Sequence, residues 1–274
     1  MYAFANAKIN IGLNVIERRP DGYHNIESVF MPIPLCDTLE LCLAGKNDPP
    51  YTFFQTGYPL DCKAEDNLVV RIFQALQKEF RLPPSEIHLH KRIPSGAGLG
   101  GGSSDAAEIA KMINEFFELG LSASQLAERV AHFGADCAFF VANRPTYVTG
   151  IGTELTDFPL NLQGFSLALV KPPIFISTKE AYAGVIPHKP AYDLRESLSR
   201  PVETWCETVV NDFETSVFPV YPTISAIKQT LYDMGAQYAS MSGSGSSIFG
   251  LFTRPVDELA AVFPDCFTFT SIFR

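Results

Sequence analysis

Between residues 8 and 16 the chain alternates strictly between apolar and polar side chains. Successive side chains of a strand point to opposite faces, so this alternation predicts a strand with two distinct faces. The polar face carries Lys8, Asn10 and Asn14, and the apolar face carries Ile9, Ile11, Leu13 and Val15. The strand therefore places an ammonium group and an amide side by side on one surface.

Two more strands and a helix are predicted before the middle of the chain. Thr38 to Leu43 alternates again, with Leu39, Leu41 and Leu43 on the apolar face that should enter the core. Ile87 and Leu89 mark a later strand. Between these two strands, a helical pattern follows Asp66 and stops before Pro83-Pro84, because proline interrupts a helix. The apolar residues on one side of this helix are Leu68, Val69, Ile72, Leu76 and Phe80.

Helical periodicity returns from about Ser103, after a glycine-rich loop. The inward-facing residues of this helix would be Ala106, Ile109, Ala110, Ile113 and Phe117. Ser122 to Gln125 matches a capping box and predicts a further helix, which Gly134 ends. Asp136 stands at the next turn, where it could cap the helix that follows.

The C-terminal part of the chain has its own strand and helix signals. Residues 165–171, 248–252 and 267–273 have the apolar character of strands. Pro222 begins a helical pattern whose apolar residues are Ile224, Ile227 and Leu231. Strands and helices are thus mixed along the whole sequence, which predicts an α+β fold.

Length and composition are consistent with two domains. The chain has 274 residues, of which 46% are hydrophobic and 19% charged, so it can form a substantial core and is not expected to be disordered. We place the domains at residues 1–150 and 151–274, and the last strand could return to the first domain.

Charge and cysteine content narrow the class of protein. The net charge is -9 and no basic stripe is visible, so nucleic acid is not an expected partner. A membrane is not expected as a partner either, because no apolar run is long enough to span one. None of the six cysteines forms a Cys-x-x-Cys pair. They are expected to be reduced thiols of a cytoplasmic protein, since the sequence also shows no signal peptide and no membrane span.

The loop from Pro94 to Asp105 reads Pro-Ser-Gly-Ala-Gly-Leu-Gly-Gly-Gly-Ser-Ser-Asp. Its glycines allow a ligand to approach the main chain closely. The helix that follows offers unpaired N–H groups and the positive end of its dipole, a combination that binds phosphate. Ser103 and Ser104 add hydroxyl donors at the same end.

Two common phosphate motifs fit this loop poorly. No lysine follows the glycines, so the loop is not a Walker A motif. Gly96, Gly98 and Gly101 match the dinucleotide fingerprint by letter. That fingerprint also requires an acidic residue about 20 positions later, at the end of a strand, and the sequence has none there. A flexible linker is also disfavoured, because the loop lies between a strand and a strongly periodic helix.

The sequence from Pro94 to Ser104 resembles the ATP loop of the GHMP kinase superfamily. Further segments resemble the same superfamily in order and spacing: Ala7–Leu13, Arg19–His24, Gly134–Asp136 and Met241–Ser247. The Asp-Gly-Tyr-His element is typical of a branch that phosphorylates the 2-hydroxyl of a polyol carrying a cytidine diphosphate group, in the non-mevalonate route to isoprenoid precursors. The resemblance implies an N-terminal ATP-binding domain and a ferredoxin-like C-terminal domain.

The resemblance also implies catalytic roles. It places Lys8 and Asp136 at the reacting centre, with Asn10 beside them as a substrate residue. Phosphoryl transfer depends mainly on positioning and on neutralising negative charge, which an ammonium group can provide. Asp136 would orient the hydroxyl and accept its proton.

The same resemblance assigns the ATP site. Asn67, Leu68 and Lys91 would line the adenine pocket, although Lys91 could equally be a surface lysine at a strand end. The phosphate loop would contribute Pro94, Gly96, Gly98, Leu99, Gly100, Gly101, Gly102, Ser103 and Ser104. ATP chemistry implies Mg²⁺, for which no protein ligand can be nominated from the sequence.

For the cytidine substrate, Tyr23 and Tyr182 would stack on the base and His24 would bond its edge. Phe30 would border the same pocket, or simply pack in the core. Gly243 and Ser244, on a second glycine loop, would approach the substrate phosphates.

Two alternatives remain open. Another GHMP-type kinase, acting on mevalonate, homoserine or a sugar, would keep the first glycine loop but would not need the Asp-Gly-Tyr-His element. A non-catalytic nucleotide-binding protein could have lost Lys8 or Asp136, and both are present.

Overall fold

The computed structural model describes residues 1–60 and 62–274, which form two compact units. The first unit comprises Met1–Ala7, Pro32–Ser95 and Gly100–Arg144, and the second comprises Lys8–Met31, Gly96–Leu99 and Pro145–Arg274. Each unit contains helices and strands, which confirms the α+β prediction. The units are discontinuous in sequence, whereas the functional division at residue 150 stays a prediction.

The elements up to residue 144 are β1 (Tyr2–Arg18), β2 (His24–Leu43), β3 (Tyr51–Gly57), α1 (Leu68–Phe80), β4 (Ser85–Lys91), α2 (Gly101–Phe116), α3 (Ala123–Ala131) and α4 (Cys137–Ala142). Those beyond it are β5 (Thr146–Thr149), β6 (Glu154–Asp157), β7 (Ser166–Lys171), α5 (Thr178–Ala183), α6 (Leu194–Leu198), α7 (Trp205–Thr208), α8 (Phe213–Val217), α9 (Pro222–Asp233), β8 (Tyr238–Met241), β9 (Ile248–Phe252), α10 (Leu259–Val262) and β10 (Phe267–Ile272). Short 3₁₀ turns lie at Ala64–Asp66 and Val202–Thr204.

In the first unit, the end of β2 pairs antiparallel with β4, and β3 pairs parallel with β4. Helices α1, α2 and α3 contribute most of their buried apolar residues to one core against these strands. Helix α1 begins at the Asn67 cap, one residue after the predicted Asp66, and α2 begins at Gly101 rather than Ser103. The predicted capping box at Ser122 is confirmed, because its hydroxyl and the Gln125 side chain bond each other's backbone N–H.

Two local expectations for the first half of the chain are wrong. The third helix ends at Ala131, before Gly134. Leu43 does not join Leu39 and Leu41 in the core and is 59% exposed, because it is the last residue of its strand. On the polar face of β1, Lys8, Asn10 and Asn14 are all buried.

In the second unit, β7, β8, β9 and β10 form an antiparallel sheet with the strand order β10-β7-β9-β8. Helices connect β7 to β8 and α10 connects β9 to β10, which is the ferredoxin-like arrangement that the resemblance implied. The last strand pairs with β7, so it does not leave this sheet. Helix α9 buries Ile224, Ile227 and Leu231 as predicted.

The second unit also holds the first part of β2, where Ser28–Phe30 pairs with β5, and β5 in turn pairs with β6. Across the described residues, no helix combines the length and apolar character needed to cross a membrane.

Candidate active site

The Lys8 side chain lies on β1 in the second unit and is 4% exposed. Its Nζ donates a hydrogen bond of 2.5 Å to Asn10 Oδ1 and lies 4.4 Å from the centroid of the Phe30 ring. An ammonium group held against an amide oxygen and an aromatic face keeps its charge at a fixed position. The predicted side-by-side placement of Lys8 and Asn10 is therefore confirmed, and Phe30 lies with them.

The orientation of the Asn10 amide is fixed by a residue that the sequence did not nominate. Asn10 Nδ2 donates to Ser28 Oγ at 2.9 Å, and the Ser28 hydroxyl donates to Gly12 O at 2.6 Å. Because the amide nitrogen is committed to Ser28, its oxygen must face Lys8. A serine on a neighbouring strand carries no sequence signal for this role.

The first glycine loop lies directly beside this pair. The backbone N–H of Lys8 donates to Leu99 O at 3.0 Å, and the Ser242 hydroxyl accepts from the Asn10 N–H at 3.2 Å while donating to Gly98 O at 2.8 Å. Gly98 has φ +72°, and a Cβ there would stand 1.9 Å from Ser242 O. Only glycine fits this contact between the two glycine loops.

The Asn211 side chain holds the backbone of the second glycine loop by hydrogen bonds. Its Nδ2 donates to Met241 O at 2.7 Å and to Gly243 O at 2.9 Å, and the residue is buried. A Cβ on Gly243 would stand 3.3 Å from Asn10 Oδ1, so this loop approaches the Lys8–Asn10 pair closely. Ser244 Oγ lies 3.5 Å from Thr178 Oγ1.

In the first unit, the first glycine loop leads into helix α2. Gly100 caps the helix with φ +69°, and the first turn contains no acidic residue. The first N–H groups of a helix have no partner within it, and the helix dipole is positive at this end. Gly102 is exposed, and a Cβ there would meet no protein atom within 4 Å. This end of α2 is therefore suited to bind an anion.

Lys91 lies beneath this first turn and is not the surface lysine that sequence alone allowed. It is 3% exposed, and its Nζ donates to Asp37 Oδ2 and, at 2.7 Å, to Asp105 Oδ2. Asp37 Oδ1 accepts from the N–H of Ile93 at 2.8 Å. Neither aspartate was expected here. The ion pairs tie the end of β4 to β2 and α2.

Two carboxylates against one ammonium leave an uncompensated negative charge in this buried group. Burial alone would lower the pKa of Lys91, but the Asp105 and Asp37 charges outweigh it and the pKa is raised. Burial raises the pKa of Asp105 to about 8, and the attraction of Lys91 only partly opposes this. Lys91 therefore keeps its charge, and the pKa of Asp105 is raised because its carboxyl group is buried near Asp37.

Asp136 stands half-buried at the N-cap position of α4, in the first unit. Its side chain makes no capping hydrogen bond, so the expected capping role is wrong. The turn before it packs on the first turn of α2, because a Cβ on Gly134 would stand 3.6 Å from Ser103 Oγ. Burial raises the pKa of the neighbouring Cys137 thiol to about 11, which makes that thiol unreactive.

The residues assigned to adenine have structural partners of their own. Asn67 Oδ1 accepts from the Val69 N–H at 2.9 Å and caps α1, whose first residue is the half-buried Leu68. The Lys91 ammonium group forms ion pairs with Asp37 and Asp105. Pro94 is half-buried. Their contact with a nucleotide stays a prediction, as does that of Ser103 and the buried Ser104.

Two of the residues assigned to the cytosine base lie together in the second unit. The rings of His24 and Tyr182 stack with centroids 4.6 Å apart and planes at 16°, and Tyr182 meets Phe213 edge to face at 4.7 Å. Burial lowers the pKa of His24, and the charge of Arg18 lowers it further, so the ring is neutral at neutral pH. Tyr23 is 62% exposed on the adjoining turn.

The described residues include no group of three or more histidine, cysteine, aspartate or glutamate side chains arranged to hold a metal ion. Asp105 Oδ1 lacks a hydrogen-bond partner, but it is buried and its other oxygen binds Lys91. These side chains therefore do not form a magnesium site by themselves.

The exposed end of α2 gives a direct test of anion binding. Gly102→Val should weaken ATP binding by at least about tenfold without lowering Tm, because its side chain enters space that only a ligand would occupy. Isothermal titration with an ATP analogue measures this, and Gly102→Ala should be intermediate. Gly101 is a poorer probe, since a Cβ there would stand 2.9 Å from Ile93 Cγ2. Unchanged affinity in Gly102→Val would show that phosphates bind elsewhere.

The chain is similar to known kinases over most of its length. The family model for the GHMP kinases N terminal domain matches residues 67–144, and that for the GHMP kinases C terminal matches residues 194–267. The chain is 53% identical over 252 residues to a 4-diphosphocytidyl-2-C-methyl-D-erythritol kinase of Bacteroides thetaiotaomicron, covering 92% of both chains. It is 49% identical over 268 residues to the protein of the same name from Parabacteroides distasonis, covering 97% of both.

Solved structures extend the comparison. A crystal structure of 4-(cytidine 5'-diphospho)-2C-methyl-D-erythritol kinase matches with a TM-score of 0.81 and 28% identity over 98% of both chains. A mevalonate kinase structure matches with a TM-score of 0.70 at 12% identity, covering 98% of both chains, and shows a shared fold alone.

Proposed function

The chain belongs to the GHMP kinases, in the family of its 4-diphosphocytidyl-2-C-methyl-D-erythritol kinase relatives, and from this we propose that it transfers the γ-phosphoryl group of ATP to the 2-hydroxyl of that cytidine substrate. The reaction would serve the non-mevalonate route to isoprenoid precursors. The observation that best supports this is the buried Lys8 ammonium, which Asn10 and Phe30 hold beside two glycine loops.

In this proposal, the N-terminal turn of α2 receives the ATP phosphates and Lys8 neutralises the charge that spreads over the transferred group. The substrate oxygen forms the new bond to phosphorus as the bond from phosphorus to the β-phosphate oxygen breaks. The proton of the hydroxyl passes to Asp136. A carboxylate suffices as acceptor because, in a loose transition state, the proton leaves late.

Magnesium would be held mainly by the phosphate oxygens, which are the hard ligands that this ion prefers. The side chains of residues 1–60 and 62–274 offer it no cluster of their own. No step of the transfer is therefore assigned to a protein–metal contact.

For the acceptor, we assign Tyr182 to one face of the cytosine and the exposed Tyr23 to the other, with His24, which lies against Tyr182, at the base edge. Neutral His24 keeps one ring nitrogen as donor and one as acceptor for the base edge. The exposure of Tyr23 means that its ring gains the most burial when a base stacks on it.

The proposed activity is tested by coupled measurement of ADP release with the cytidine substrate, mevalonate, homoserine and a sugar as separate acceptors. We expect turnover with the cytidine substrate and at least about 100-fold lower kcat/KM for the others, because a missing base forfeits stacking of about 1–3 kcal/mol together with the polar contacts. Preference for mevalonate, homoserine or the sugar would replace this proposal with that kinase activity.

Tyr23→Ala should raise the KM for the cytidine substrate by roughly 5- to 150-fold, which corresponds to the loss of about 1–3 kcal/mol of stacking. The KM for ATP and the Tm should barely change, since the ring is largely exposed. Steady-state kinetics with each substrate varied in turn measures both. Tyr2→Ala, at a 71% exposed tyrosine of the first unit, is the matched control. If methylerythritol without its cytidine diphosphate is phosphorylated equally well, the base clamp is wrong.

A further inference from the structure

Phe175 is a largely exposed aromatic residue whose ring contacts a glycine loop. It lies between β7 and α5 and is 68% exposed. Its ring nevertheless rests on the first glycine loop, because a Cβ on Gly96 would stand 2.4 Å from Phe175 Cε2 and 2.5 Å from Cδ2. Gly96 itself has φ +58°, a conformation that other residues rarely adopt. The ring therefore covers the one side of Gly96 where a side chain would otherwise stand.

The neighbours of Phe175 attach the same segment to the second glycine loop. Ile174 O accepts a hydrogen bond of 2.5 Å from the Ser246 hydroxyl. Ile176 is 3% exposed, and its Cδ1 lies 3.3 Å from the position of a Cβ on Gly245. These two anchors fix the backbone on both sides of Phe175, so the direction of its ring is set by the fold.

Helix α5 continues this connection to the base-binding residues. It begins at Thr178, whose hydroxyl lies 3.5 Å from Ser244 Oγ, and it carries Tyr182, which stacks on His24. The segment 174–182 thus contacts both glycine loops and contributes to the aromatic pair, all within the second unit.

We propose that Phe175 is a positioning residue for ATP binding, which holds Gly96 and the adjoining loop backbone in the conformation that receives the phosphates. An exposed ring gives little stability to the fold itself, since most of its surface remains in water. Its contact with Gly96 instead removes conformational freedom from the loop before the ligand arrives, and such preorganisation strengthens binding. The identity of the ligand rests on the proposed function.

Phe175→Ala should weaken ATP binding about tenfold, as expected when the backbone of about one loop residue must be ordered on binding. The Tm and the kcat at saturating ATP should stay unchanged, and Phe175→Leu should restore most of the affinity. Ile186→Ala, at an 83% exposed apolar residue of the same unit, is the control and should bind ATP normally. Titration with a non-hydrolysable ATP analogue measures affinity without requiring turnover.

A double variant separates this role from general damage to the loop. Gly96→Ala alone should weaken ATP binding strongly, because its methyl group would collide with the Phe175 ring. Gly96→Ala combined with Phe175→Ala should bind better than the product of the two single losses predicts, since the collision is gone. Strictly multiplicative losses, or normal affinity in Phe175→Ala, would overturn the proposal. If wild type binds ATP but phosphorylates no cytidine substrate, the proposed function fails while the Phe175 titrations still decide this inference.

Discussion

Asp136→Asn should lower kcat by about 10²–10⁴, while the KM values for ATP and for the cytidine substrate change little. The substitution keeps the size and hydrogen-bonding reach of the side chain and removes its charge and its capacity to take the proton. Since the Asp136 side chain caps no helix, the exchange removes no structural hydrogen bond of that kind. The loss should appear in kcat, because the substitution removes the proton acceptor and keeps the shape of the side chain.

Steady-state kinetics and thermal unfolding of the same preparation test this expectation. Asp193→Asn is the matched control, because Asp193 accepts from the Glu196 N–H and caps α6, where asparagine is an equally good cap. Its kcat should equal that of wild type. A loss near tenfold in Asp136→Asn would show that the carboxylate only orients the hydroxyl, and an unchanged kcat would remove Asp136 from the mechanism.

The elements that the sequence predicted best are those with strong local patterns. Helix α9 begins at Pro222 and strand β9 spans Ile248–Phe252, both as predicted, because a proline at the first helical position and a short apolar run are local signals. The errors at Leu43 and after Ala131 are errors of element ends, where few residues carry the pattern.

The site was predictable to the extent that it depends on one strand. Alternation alone places Lys8 and Asn10 on one face, and the structure joins them by a hydrogen bond. Ser28 and Ser242, which orient that pair, belong to distant segments and have no distinguishing sequence context. Family resemblance supplied Tyr182 as a base residue, but its stacking on His24 could come only from the fold.

The buried ion pairs are a second feature that the sequence alone could not predict. Lys91 and Asp37 are 54 residues apart in sequence, and nothing in either segment indicates an ion pair. Asp105 was visible as the last residue of the glycine-rich sequence, yet its burial on α2 against Lys91 depends on how β2, β4 and α2 pack together. Charged residues are ordinarily exposed, so sequence reasoning defaults to a surface position unless a partner is known.

Lys8→Met should lower kcat by about 10²–10³, the cost of removing one charge-stabilising donor from a transition state. Methionine keeps an unbranched side chain but removes the ammonium group that lies over the Phe30 ring. It leaves Asn10 Oδ1 without the ammonium, at a stability cost of about 1–3 kcal/mol that is partly offset because a buried charge is also removed. Lys179→Met, at an exposed lysine of the same unit, is the control and should leave both kcat and Tm unchanged.

The double variant Lys8→Met with Asp136→Asn tests whether the two residues serve one chemical event. If Lys8 stabilises the transferred group while Asp136 takes the proton of the attacking hydroxyl, removing either one already disables the same transition state. The double variant should then lose less than the product of the two single losses, since residues that act as a unit are strongly non-additive. Single-turnover rates at saturating ATP are the appropriate measurement, because they exclude product release. Strictly multiplicative losses would mean that the two residues act in independent steps, and the proposed shared role would have to be abandoned.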